Sequence, residues 1–120
     1  MILNILAQYK DVIEDYEILK FRTVGSAYQF ICKISFVDQS NLFIKDYLFM
    51  DCSRKYSFHW QDKENELIIR WDNAPHHQGV KTFPYHKHVN DENNICESSP
   101  VKLSDVLEYI RQKIFFRSDA

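Results

Sequence analysis

Positive charge is not in excess in this 120-residue chain: fifteen Lys and Arg stand against seventeen Asp and Glu, a formal net charge of -2. That balance argues against a protein that grips nucleic acid over its whole surface, because such binding draws its affinity from neutralised phosphates. A local basic patch stays compatible with it. Cysteine is scarce and odd in number. Cys32, Cys52 and Cys96 form no CxxC spacing, which argues against a disulfide framework and a thiolate zinc site and fits a reducing compartment. No apolar run reaches the length of a membrane-spanning helix. The opening stretch MILNILAQYKDVIEDYE has neither a basic n-region nor a small-residue cleavage site, so a soluble, cytoplasmic protein without a membrane partner is expected. There is no internal repeat of fixed period.

What is present is aromatic and alternating. Hydrophobic residues make up 45% and aromatics 15%, enough for one globular domain over residues 1–120, and the aromatic enrichment favours sheet. Ile2, Leu3, Ile5, Leu6 and Tyr9 recur at helical spacing and predict a short N-terminal helix. Strands are expected over residues 13–22, 27–37, 41–50, 54–61 and 66–72. In the second, Tyr28, Phe30, Cys32, Ile34 and Phe36 share one face; in the fourth, Tyr56, Phe58 and Trp60 do. A four-residue loop, Asp62 to Asn65, would pair Gln61 with Glu66, Trp60 with Leu67 and Ser57 with Arg70. Periodicity then stops, and residues 73–100 read as a long histidine-rich loop and linker. Ser104 is a candidate N-cap for a last helix over 103–116, with Leu103, Leu107, Ile110 and Ile114 as its apolar stripe. The expected fold is α+β: an antiparallel meander of about five strands, packed on the C-terminal helix.

Four of the five histidines, His76, His77, His86 and His88, fall within thirteen residues, beside Asp72, Lys81, Tyr85 and Lys87. If their segment is extended, His86 and His88 point the same way. Three chemistries use such parts. Imidazoles titrate near neutrality and serve as acid and base in a metal-independent ribonuclease, with Asp72 orienting one of them. Arg70, Lys87, Lys55, His59 and Tyr85 would then bind RNA phosphates or bases. Alternatively, two or three imidazoles and Asp72 hold a metal ion for a hydrolase, although the pattern HHx8HxH matches no standard ligand spacing and no cofactor is expected. Lastly, the loop is a non-catalytic docking surface for protein or nucleic acid. The plain structural alternative is that His76 and His77 are solvated connectors after Pro75, and that Trp60 and Trp71 are core.

The strings YSFHWQD, ELIIRWDNAPHH and TFPYHKHV resemble the TumE family of toxin–antitoxin proteins, most sharply over residues 54–89. The matching residues include Arg70-Trp71-Asp72-Asn73, His76-His77, Phe83-Pro84, His86, His88 and Val89. Tyr85 departs from the pattern, standing where the family has a histidine. The resemblance implies a prokaryotic toxin paired with a small cognate antitoxin. RNA and a second copy of the chain are the further candidate partners.

Overall fold

The computed structural model describes residues 2–117, so residues 1 and 118–120 of the expected domain lie outside the described part. Two helices, α1 (Ile2–Gln8) and α2 (Leu103–Arg117), flank seven strands. These are β1 (Ile13–Val24), β2 (Ala27–Phe36), β3 (Asn41–Leu48), β4 (Arg54–Gln61), β5 (Leu67–Asp72), β6 (His86–Val89) and β7 (Ile95–Glu97). All pairs are antiparallel and the order is β1 to β7 without a crossover. The expected α+β meander is therefore present with seven strands instead of about five. The two additional strands lie inside the stretch expected to be loop. They are short and half polar, and they owe their extended form to pairing, β6 on β5 and β7 on β6, not to an amphipathic pattern of their own.

Alternation gives the sheet one covered and one open face. On the covered face Phe30, Ile34, Phe36, Leu42, Phe58 and Trp60 pack with Val106, Leu107 and Ile110 of α2 as one buried core. Tyr109 meets both Trp60 and Trp71 edge-on, with ring centroids 6.3 and 5.5 Å apart. The helix begins at Leu103, two residues earlier than a cap at Ser104 would allow, because the Asp105 carboxylate accepts the Lys102 N–H at 2.8 Å. Arg54 ties the preceding linker down: Nε and Nη2 donate to Asp46 at 2.8 and 3.0 Å, and Nη1 donates to the Val101 carbonyl at 2.7 Å.

Three successive hairpins share one construction. In FVDQS (36–40), FMDCS (49–53) and DKENE (62–66), a single residue, Gln39, Cys52 or Asn65, takes a left-handed φ of 65–71°, while an aspartate carboxylate holds nearby backbone N–H groups. The third corrects the expected register. Asp62 Oδ1 accepts from both Glu64 and Glu66 N–H, lengthening the loop, so that Gln61 pairs with Leu67 and a bulge follows. Trp60 then opposes Ile69, and Ser57 opposes Asp72 instead of Arg70. A slip of two residues leaves every side chain on its expected face.

Candidate active site on the open face

Two rows of side chains cross the open face. One runs Lys45, Ser57, Asp72, His86 and Glu97; the next runs Phe43, His59, Arg70, His88 and Ile95, each residue directly opposite its neighbours. The β5 and β6 positions are set locally at both ends. The Asn73 side chain continues the β4 ladder where β5 stops, accepting from Tyr56 N–H at 2.9 Å and donating to Arg54 C=O at 2.7 Å. The Thr82 hydroxyl donates to Tyr85 C=O at 2.6 Å and accepts from Ser98 N–H at 3.0 Å, which pins the loop before β6 to the end of β7.

Asp72, His86 and His88 are buried, at 6%, 2% and 6% exposure, on the face that no helix covers. Asp72 Oδ1 lies 2.8 Å from His86 Nε2 and accepts Ala74 N–H at 3.0 Å; its Oδ2 lies 3.5 Å from His88 Nε2. The opposite ring nitrogens face backbone carbonyls: His86 Nδ1 is 2.9 Å from Pro84 O, and His88 Nδ1 is 2.7 Å from Glu92 O. A carbonyl only accepts, so these contacts are hydrogen bonds in the tautomer that carries the proton on Nδ1, with each Nε2 turned toward the carboxylate. His77 closes the group from the loop, its ring 4.8 Å from that of His86 and 5.6 Å from that of His88.

Arg70 borders this cluster. Its Nε is 3.5 Å from Asp72 Oδ2 and has no hydrogen-bond partner, and its Nη1 is 3.4 Å from Glu92 Oε1. On the same row His59 Nε2 meets Gln61 Oε1 at 3.2 Å. Burial first, then the Arg70 charge, holds His59 below its ordinary value of 6.5. The same value is lowered for His77 by loss of solvent at its site first and next by the His86 and His88 rings.

Asp72, His77, His86, His88, Arg70 and His59 are thus brought together on one face. His76 is exposed beside them, and Lys55 is exposed farther along β4. Two expected residues are not gathered in. Lys87 opposes Trp71 on the covered side of β6, and Tyr85 stacks on Tyr56 at the core, ring centroids 6.5 Å apart. Sequence reasoning missed Phe43 and Glu92. Phe43 was legible in principle, since β3 alternates and its other face carries Leu42 and Ile44; Glu92 enters only through a turn of the backbone.

A buried carboxylate ringed by three imidazoles, on the uncovered face of an antiparallel sheet, defines a small α+β protein organised around one polar centre. The family model for toxin TumE matches residues 2–114, and the chain belongs to that family. It is accordingly the toxin component of a toxin–antitoxin pair, with a cognate antitoxin as its partner. No curated protein and no solved structure matches the chain. Among the described residues no helix is long and apolar enough to cross a membrane.

Proposed function

We propose that this toxin is a ribonuclease acting on cytoplasmic RNA, with the open-face rows as the track for the strand and the histidine cluster as the place of attack. The observation that supports it most is the setting of Arg70. Its guanidinium makes only long contacts, and it stands between the Asp72 cluster and an exposed row of aromatic and cationic side chains. An arginine so placed can exchange those contacts for shorter, charge-assisted ones to a phosphate. Phe43, 39% exposed with Lys33 Nζ 5.7 Å from its ring centre, offers a stacking platform for a base two strands away.

Cleavage of a phosphodiester needs one proton taken from the attacking hydroxyl and one given to the leaving oxygen. In the metal-free form, His86 and His88 perform these transfers through Nε2, with Asp72 between them and His77 as the ring that substrate meets first. Purified toxin incubated with total cellular RNA is expected to cut it. His88→Ala should lower the rate by about 100-fold or more, as loss of an acid–base group does. Arg70→Ala should lower it by about 10- to 100-fold, the range of one lost charge-assisted contact. Absence of any cutting, with both variants still toxic on expression, would overturn the proposal and leave the open face as a docking surface.

A further inference from the structure

We propose that His77, His86 and His88 bind a single divalent transition-metal ion of the zinc type. One nitrogen from each ring can be chosen so that all three lie within 4.8 Å of one another. Tetrahedral zinc with Zn–N bonds of about 2.0–2.1 Å sets its ligand nitrogens about 3.4 Å apart. The widest pair therefore needs a contraction of about 1.4 Å, and His77, half-buried on a loop, is the member able to supply it. One feature beyond proximity favours an ion over an empty cluster. The Pro84 and Glu92 carbonyls hold the Nδ1 protons of His86 and His88, which is the outer-shell arrangement that presents Nε2 to a metal. A donor set dominated by imidazole selects zinc, cobalt, nickel or copper over magnesium or calcium.

The inference concerns the same side chains as the ribonuclease reading, but its test is binding alone, so the two fail separately. Untagged full-length toxin, stripped with chelator, is titrated with Zn²⁺ by calorimetry. One ion per chain is expected, with affinity falling about 100-fold in His86→Ala or His88→Ala. His77→Ala, on the loop, tests the same point with little risk to the sheet and should weaken binding by about 10-fold or more. His76→Ala should not change it. No saturable binding, or binding indifferent to His77→Ala and His88→Ala, would overturn the site whatever the protein does to RNA.

A second, independent inference concerns the opposite edge of the sheet. We infer that β1 pairs with β1 of a second copy of this chain. Outside Ile13 every residue of this twelve-residue strand is exposed, including Tyr16, Ile18, Leu19 and Phe21 at 36–59%. It contains no proline to guard its edge. A bulge at Leu19 puts acidic Asp15 and Glu17 and basic Lys20 and Arg22 on one face, while Tyr16, Ile18 and Phe21 lie on the other. A two-fold axis through that bulge sets Glu17 against Lys20, Asp15 against Arg22 and Tyr16 against Phe21 of the other copy. Four of the five charges on the strand meet their opposites, in both directions, and Glu14 falls opposite Thr23. Sedimentation of the toxin alone should show a dimer. Glu17→Lys should shift it toward monomer by about 10-fold or more in dissociation constant, as like charges placed directly opposite do. Glu17→Lys combined with Lys20→Glu should restore it. A monomer at all concentrations, or a dimer indifferent to Glu17→Lys, would overturn the pairing; the first outcome would assign the edge to the antitoxin if antitoxin protects β1 amides from exchange.

Discussion

The two faces of the sheet are made by the same strands and meet opposite demands. Under α2, Phe58, Trp60, Leu42, Leu107 and Ile110 are at 0–1% exposure and almost every contact is apolar. On the open face Asp72, His86 and His88 are buried nearly as deeply, yet each is polar, and what encloses them is the His77 loop and the turn that carries Glu92. Burying such groups costs free energy unless they are paired. The covered face supplies the surplus that makes this tolerable, and Trp71 and Asp72 show the division at adjacent residues: one faces Tyr109, the other the histidines.

Substitutions can separate the faces by size and kind of effect. The largest loss of stability is expected from Trp60→Ala, which removes a buried ring and its 3.0 Å bond to Ser40 Oγ: about 3–5 kcal/mol in denaturant unfolding. Asp72→Ala should cost about 1–3 kcal/mol, because it strands the Ala74 N–H and two buried imidazoles, and should abolish toxicity as well. If it were as stable as the parent, the open face would not be a paired polar core. Arg70→Ala and Lys87→Ala sharpen the contrast further. Both should change stability by less than about 0.5 kcal/mol, but only the first should weaken RNA binding, since Lys87 is on the covered side.

The smallest expected effect is a pH dependence. His59 is harder to protonate in the fold than in the unfolded chain. Its contribution to stability is thus complete above the unfolded value of about 6.5 and is lost as pH falls below it. Melting temperatures at pH 7.5 and 5.5 should differ less in His59→Gln than in the parent. An equal difference in both would remove His59 from the account.

The covered face was legible in the chain because it follows one rule. Phe30, Ile34 and Phe36, or Phe58 and Trp60, alternate with polar residues, and the α2 stripe recurs at helical spacing, so strands β1 to β5 and both helices could be placed. Strands β6 and β7 were not legible, since HKHV patterns as loop until β5 offers it a partner, and ICE until β6 does. The register of β4 on β5 was hidden in the Asp62 carboxylate, whose two backbone bonds lengthen the turn. Within the candidate site, the shared side of His86 and His88 followed from alternation once extension was assumed. The same rule sends Lys87 away from them. His77 could not be placed, because a loop residue reaches its neighbours by a path that spacing does not encode, and HHx8HxH therefore looked unlike any ligand set.

The uncrossed order of the strands has a consequence for how such a chain emerges from the ribosome. Each strand pairs only with the one made just before and the one made just after it, so the sheet can be laid down hairpin by hairpin as the peptide lengthens. Arg70 and Asp72 are in place by the fifth strand, but the imidazoles that complete the centre arrive with the sixth, and α2 arrives later still. A nascent chain interrupted before residue 86 carries most of the sheet and none of the assembled cluster. On the function proposed above, such an unfinished copy lacks the centre that would attack RNA.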